Sequence, residues 1–387
     1  MPAASGPPAQ VLAINHDEGI RFSCEAGQLG KIETGMDAYL RALGIAAARV
    51  LKKADRQNGT LVYTLNTPAD DTNTLDFKDR PALQIRDDVV TLPATTGPAK
   101  TISTVSKKEI VLALLQHGRL TTFDGAACDI AALKDNVAIR QNIVAWAENL
   151  TWVWPDGEHA EWNTEYWDQG TPRPGVPLHV ALNDVFMNQQ KYAIGCYTAT
   201  KLVVVQGVLD YYRRIKKSPS QLKLVEQRLL HDKDPLVGIE PARMWDFEKD
   251  FDPQERDTPG KLLKIRDNVK PMNFVPGDWV YFLNTDPASY EKTGYEGSNA
   301  IYLGRNKFDD YYDDNDHSYS YLQKLDEVYQ WRNGVFSRSR DYAKIKPLTP
   351  QDIERLGKRP AEGGLLKSIR ITPFQFSYEE LPVLGAP

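Results

Sequence analysis

The sequence has little sulfur and little imidazole: three cysteines, Cys24, Cys128 and Cys196, and six histidines in 387 residues. Three widely spaced cysteines make no disulfide framework and leave at least one thiol, and a reduced thiol is the default inside a cell. No histidine stands at metal-binding spacing from a cysteine or another histidine, so no metal and no cofactor is expected. Long apolar runs are missing as well. VLALL (111–115) and LVVV (202–205) fall far short of the roughly 20 residues of a spanning helix, so no membrane segment is expected. Nor is there an excess of one charge: 47 Lys+Arg against 52 Asp+Glu give a net charge of −5 and no basic footprint for nucleic acid. The amino-terminal MPAASGPPAQ has no basic segment followed by an apolar stretch and reads as a flexible lead, not a Sec signal peptide. The expected location is cytoplasmic, or outside the cell by a Sec-independent route. G-x-S-x-G, Walker, H-E-x-x-H and G-x-G-x-x-G patterns are absent, which removes motif support for serine hydrolase, P-loop, zincin and Rossmann readings.

What is present is an ordinary globular balance, 41% hydrophobic and 26% charged residues, in a chain long enough for about two domains. Residues 11–100 read as a small α+β unit. VLAINHDEGIRFSC suggests a hairpin, ETGMDAYLRALGIAAARVLKKA an amphipathic helix, and TLVYTL, ALQI and VVTL strands. TTGPAK (95–100) marks the boundary. From Ser106, a cap candidate, apolar spacing of three and four predicts helices through about residue 150. Residues 151–175 carry Trp152, Trp154, Trp162 and Trp167 among turn formers, an aromatic loop or hairpin. PLHVALNDVFMN, KYAIGCYTATKLVVVQGVLDYYRRIKK and LKLVEQRLL then read as helices. DWVYFLN and NAIYLG read as strands, and KLDEVYQWRNG as a later helix. Helices followed by strands predict an α+β fold. The Pro- and Gly-rich tail, 346–387, reads as packing or lid material.

Cys196 stands at or near the start of a long, mostly apolar helix. First-turn N–H groups have no intrahelical partner and carry the positive end of the dipole, so a thiol there is biased toward thiolate. Gly195 before it gives a tight turn and space beside the sulfur. The competing reading is a small buried packing residue, which is the expectation for Cys24 and Cys128. A nucleophile also needs a base and a group to orient it.

FVPGDWVYFLN followed by EGSNAIYLGRNKF resembles the PGD-strand, turn, strand-LG pattern of papain-like NlpC/P60 cysteine peptidases. With KYAIGCYTATKLVVVQGVLDYY upstream, the sequence is more similar to the bacterial spore-coat-type protein-glutamine γ-glutamyltransferases, the Tgl family, of the same broad fold. The likeness covers 176–333 and extends back to 106. It implies a papain-like α+β core over 101–345, with a nucleophile helix packed on an antiparallel sheet. That core follows an additional small N-terminal α+β domain, 11–100, and precedes a C-terminal extension. It also implies that Cys196 attacks a glutamine side-chain amide, releases ammonia, and passes the acyl group to a lysine amine or to water. The implied partners are proteins bearing glutamine, with lysine or another amine as acceptor. Asn299 matches a family asparagine, and His317 the family histidine that follows the LG strand.

This sequence departs from the family twice. The family has a glutamate directly before its cysteine and another directly before that asparagine; here Gly195 and Ser298 stand there. Three explanations compete: Glu296, two residues before Ser298 and so on the same strand face, supplies the carboxylate; His317 is the base, oriented by Asp316 or Asp310; or the fold remains and the chemistry is lost. Trp245 and Asp246 of RMWDFEKD match a family segment and are candidates for a substrate wall. Trp162 and Trp167 are candidates for an aromatic cleft, against a reading as packing residues. DDYYDDND (309–316) has five aspartates but lacks the Gly and Glu of an EF-hand loop, and reads as a solvated loop near the site. The alternatives to a transglutaminase or glutamine deamidase are an NlpC/P60-like cysteine amidase or peptidase, as an antibacterial effector toxin with a cognate inhibitor or immunity protein, and a non-catalytic binding protein that retains the fold.

Overall fold

The computed structural model describes residues 18–67, 73–94, 98–148, 150–155, 160–168, 170–231, 263–267, 271–284, 295, 297–309, 311–313, 318–335, 342–358 and 369–373. The architecture is mixed α+β. The amino-terminal half begins with β1 (Gly19–Ser23) and α1 (Leu29–Ala42). The helix expected through ETGMDAYLRALGIAAARVLKKA stops early, at Gly44, whose φ of +67° a side chain would resist. Gly44 N–H donates to Arg41 O at 3.0 Å and Ile45 N–H to Leu40 O at 2.9 Å, closing the helix end. VLKKA instead enters β2 (Val50–Asp55), which pairs antiparallel with β3 (Thr60–Leu65). ALQI is not a strand: Pro81 starts a single 3-10 turn, Pro81–Leu83, and Gln84 follows at φ +50°. β4 (Asp88–Leu92) and β5 (Lys100–Thr104) form a separate hairpin.

Beyond it, α2 (Lys107–Leu114) is capped by Ser106, whose hydroxyl accepts the Glu109 N–H at 3.2 Å. β6 (Leu120–Asp124) runs parallel to β1, in register from Gly19↔Leu120 to Ser23↔Asp124. The hairpin expected from VLAINHDEGIRFSC is replaced, for its described residues, by this pairing and by the antiparallel pairing of β1 with β3. The sheet order is β2-β3-β1-β6, so this sheet takes strands from both sides of residue 100. The same register corrects the reading of Cys24 and Cys128 as packing residues. Cys24 follows β1, and Cys128 precedes α3 (Ile130–Ala147). Their Cα atoms lie 5.6 Å apart and the two are joined in a disulfide.

A two-residue hairpin, β7 (Trp167–Asp168) and β8 (Thr171–Pro172), precedes α4 (Leu178–Met187), α5 (Cys196–Asp210) and α6 (Pro219–His231). α5 is mostly apolar and buried on every side, its polar Thr200, Lys201, Gln206 and Asp210 included. It crosses α3 closely: a Cβ on Gly207 would sit 2.3 Å from Ile143 Cγ1.

The second sheet contains β9 (Leu263–Asp267), β10 (Trp279–Leu283), β11 (Gly297–Gly304), β12 (Lys307–Asp309), β13 (Ser318–Tyr319) and β14 (Ile369–Pro373). Its order is β13-β12-β11-β10-β14-β9, with every neighbouring pair antiparallel. The tail, read from sequence as packing or lid material, thus supplies β14 to the inside of the sheet, between β10 and β9. Two helices follow the strand section, α7 (Tyr321–Arg332) and α8 (Pro350–Leu356). Side chains alternate along β11. Ile301 and Leu303 join the core that holds α5, while Ala300 and Tyr302 join a second core with Leu325, Val328 and Trp331 of α7.

Asp278 of the PGD turn joins this sheet to the amino-terminal half. Its buried carboxylate takes both ends of the Arg119 guanidinium, at 2.9 and 3.2 Å, and Arg140 Nη1 of α3 at 2.9 Å. A buried carboxylate between two arginines costs desolvation that only such close, multiple pairing offsets.

Candidate active site

Backbone hydrogen bonds hold the residues that lead into α5. Trp152 N–H donates to Tyr311 O at 2.9 Å and Asp313 N–H to Trp152 O at 3.2 Å. On its other side this segment meets the residues before Cys196, with Ile194 N–H donating to Val153 O at 3.1 Å. Ala193 and Glu161 exchange two hydrogen bonds, at 2.8 and 3.1 Å. Cys196 is thereby fixed as the first residue of α5. Gly195, the cap, has φ −72° and ψ 160°, extended backbone open to any residue, so its conformation does not require glycine.

The Cys196 thiol is buried, 8% exposed, and lies outside the disulfide. Its sulfur faces β11, 4.0 Å from Gly297 O and 3.6 Å from Asn299 Nδ2. The Asn299 carboxamide is held from its other end by Trp279 of β10, whose indole Nε1–H donates to Oδ1 at 2.8 Å. Trp279 in turn packs on Tyr197, ring centroids 5.3 Å apart, and Lys201 Nζ sits 3.6 Å from the Tyr197 centroid. Gly297 is required by space, since a Cβ there would lie 2.3 Å from the Tyr281 ring.

Below the thiol, Thr200 Oγ1 donates to Cys196 O at 2.7 Å and meets the Tyr311 hydroxyl at 2.9 Å. Burial pushes the Tyr311 phenol well above its ordinary range, and the Asp309 carboxylate adds to this, so it stays neutral. Tyr312 OH donates to Ile194 O at 3.0 Å. The acidic stretch expected as a solvated loop therefore turns two tyrosines inward against the thiol helix. Two adjacent aromatics inside a run of aspartates were the available signal. Trp279, inside the strand expected from DWVYFLN, is buried and also touches the site through Asn299.

Of the residues singled out from sequence, Cys196 and Asn299 are brought together. Ser298 is not: strand alternation turns it to the opposite face of β11, where its hydroxyl accepts from Lys324 Nζ of α7 at 3.2 Å. Trp167 is buried, its indole N–H donating to Ala181 O of α4 at 3.3 Å, and it packs on Trp162 at 5.0 Å between centroids. Trp162 also meets Tyr192 at 6.1 Å, so the pair braces α4 and the segment leading to Cys196. Glu296, His317, Asp310, Asp316, Trp245 and Asp246 lie outside the described residues. Among the described residues no cluster of three His, Cys, Asp or Glu is placed to hold a metal. No described helix is long and apolar enough to cross a membrane.

A thiol at a helix amino terminus beside a carboxamide donor is suited to thiolate chemistry. Comparison with known proteins agrees with that character. The sequence profile of protein-glutamine gamma-glutamyltransferase matches residues 90–314. Proteins of that name from Bacillus cereus (strain AH820) and Bacillus anthracis (strain A0248) are 28% identical over 149 residues, 37% of this chain and 42% of theirs. The matched region thus spans less than half the length of these curated relatives. Among solved structures, a transglutaminase from Geobacillus stearothermophilus (without C-terminal extension) aligns with a TM-score of 0.38 and 20% identity, over 53% of this chain and 86% of that one. The profile match takes in more than half of the chain and includes Cys196 and Asn299, and the chain belongs to the protein-glutamine gamma-glutamyltransferase family.

Proposed function

We propose that this chain transfers acyl groups from protein glutamine side chains, with Cys196 as nucleophile on a papain-like core. The observation that carries the reading is the Cys196 sulfur at the first residue of buried α5, 3.6 Å from Asn299 Nδ2 on antiparallel β11, inside the matched region. The thiolate attacks the amide carbon of a glutamine side chain. The tetrahedral intermediate collapses with protonation and loss of ammonia, leaving a thioester on Cys196. A lysine or other amine then attacks the thioester and releases the sulfur, and water in its place gives glutamate. First-turn N–H groups of α5 and the positive end of its dipole favour the thiolate and the developing oxyanion.

Glu296 and His317 are the proposed bases, on chemistry and chain position. Glu296→Gln and His317→Gln separate them, since only the base's variant lowers the rate and removes the matching limb of the pH–rate profile. Residues 101–345 are proposed to carry the chemistry. The test is incubation with a glutamine-rich protein and a labelled primary amine while ammonia is followed. Label incorporation that disappears in Cys196→Ala supports transfer, and ammonia without label assigns the chain to deamidation. Neither product, from a folded chain across several glutamine proteins, removes the proposal.

A further inference from the structure

Asn299 presents its amide to the sulfur, and a carboxamide can face a sulfur in two ways. With NH2 toward it, the amide donates and favours the thiolate. With the oxygen toward it, two electron-rich atoms meet and the thiolate is disfavoured. What decides is the group at the amide's other end. An indole N–H is a donor only, so the Asn299 atom 2.8 Å from Trp279 Nε1 must be the oxygen. The nitrogen is then left toward Cys196, at 3.6 Å from Sγ. All three side chains are buried, where water cannot substitute for a lost donor.

Register explains how two side chains on neighbouring strands reach each other. Trp279 is opposite Ile301 and Tyr281 opposite Asn299, so Trp279 and Asn299 are diagonal neighbours on the face turned to α5. Tyr197, the residue after Cys196, packs against the indole and limits its movement. The position of the indole N–H is thus set by the helix that carries the thiol.

We propose that Trp279 is a positioning residue for Cys196: its indole N–H locks the Asn299 carboxamide with the NH2 end toward the sulfur, and so favours the thiolate. The inference rests on the reading of Cys196 as the nucleophile, and adds to it a residue that acts through Asn299. Other titratable groups around the thiol are Lys201 and Tyr197 on its own helix, Tyr281 beneath Gly297, and Tyr311 with Asp309 from the β12 side. None of them is changed by the variants below.

The test is the pH profile of Cys196 alkylation by iodoacetamide, which needs no protein substrate. Trp279→Phe keeps a ring against Tyr197 and loses the N–H. Hydrogen bonds to a charged group are worth enough to move the midpoint up by about one pH unit, with a rate below the midpoint about tenfold lower. Asn299→Ala is expected to move it by a similar amount, and Trp279→Phe to add nothing in the Asn299→Ala background. An unmoved midpoint in Trp279→Phe overturns the inference, and so does an equal shift in both backgrounds, which would mean that the indole acts by packing alone. Should Trp279→Phe fail to fold, the benzothiophene analogue of tryptophan at position 279 replaces only N–H by sulfur and is expected to give the same shift. A wild-type thiol no more reactive than a model thiol also overturns the inference. A wild-type chain with a shifted, Trp279-dependent thiol but no amide chemistry would sink the proposed activity and leave this inference standing.

Discussion

In the four-stranded sheet the chain closes a loop covalently, through Cys24 and Cys128, which lie 104 residues apart in sequence. The six-stranded sheet meets the rest of the molecule through buried ions and oriented hydrogen bonds, at Asp278, Arg305 and the Trp279–Asn299–Cys196 line. On the proposed role of Cys196, the difference follows from what the sulfur has to do in each place. A bond between two sulfurs fixes strands that only support. A sulfur kept for chemistry must stay unbonded, so the groups around it hold it by direction, and direction is lost with a single donor.

The sharpest test of that division is at the sulfurs themselves. Cys196→Ser is expected to lower labelled-amine incorporation by roughly 10³-fold or more while the melting temperature stays near that of the parent, because a hydroxyl is a far weaker nucleophile of nearly the same size. The Cys24→Ala/Cys128→Ala pair should do the reverse. Removing a bridge across a loop this long is expected to cost about 2–5 kcal/mol, read from the urea midpoint. The alkylation profile of Cys196 in the folded fraction should not move. A bridge variant that shifts that profile as far as Trp279→Phe does would break the comparison, since the two regions would then be mechanically one.

The sequence made the thiol legible and its surroundings only in part. The place of Cys196 at the start of α5 was readable because a helix start is a local signal, an apolar run following a glycine. Asn299 came from family resemblance, and strand alternation then gave its face. Ser298 shows the limit of that reasoning: its place beside Asn299 in sequence puts it on the far side of β11, against Lys324. Trp279 lay in an alternating strand and its burial was readable, but its bond to Asn299 depends on the diagonal between two strands whose register the sequence does not state. The disulfide was missed for a similar reason. It depends on β1 and β6 running parallel, a contact made across about a hundred residues. β14, at the far end of a Pro- and Gly-rich tail, carried little local pattern at all, and its strand character comes from the partners on both sides.

Two smaller effects probe how the thiol-bearing sheet is held. Gly297→Ala would bring a Cβ to 2.3 Å from the Tyr281 ring, and the ring cannot move far inside a packed sheet. A loss of about 1–3 kcal/mol is expected, with slower alkylation of Cys196 because Gly297 O borders the sulfur at 4.0 Å. Unchanged alkylation would mean that β11 can shift without disturbing the site.

The last effect is at the outer end of the same strand, where Arg305 joins β11 to the amino-terminal half. Its guanidinium reaches Asp87 at 2.7 Å and Glu148 at 2.5 Å, and its backbone N–H donates to Glu109 Oε1 at 2.8 Å. Burial pushes the Glu109 carboxyl up from 4.5 to about 7, against the opposing pull of Arg305. The sign follows from proton counting. Below about 4.5 Glu109 is protonated in both folded and unfolded chains, and its contribution to stability is fully present. Between there and about 7 the folded chain keeps a proton that the unfolded chain releases, so stability falls as pH rises. Above that range both forms are ionised and the contribution is gone. One such group changes stability by at most about 1.4 kcal/mol per pH unit. Urea midpoints measured across this range should fall less steeply in Glu109→Gln than in the parent. Parallel slopes would show that Glu109 is ionised in the folded chain throughout. In that case the joint at Arg305 would hold three ionised carboxylates, two on the guanidinium and one on the backbone N–H, much closer in character to the charged clamp at Asp278.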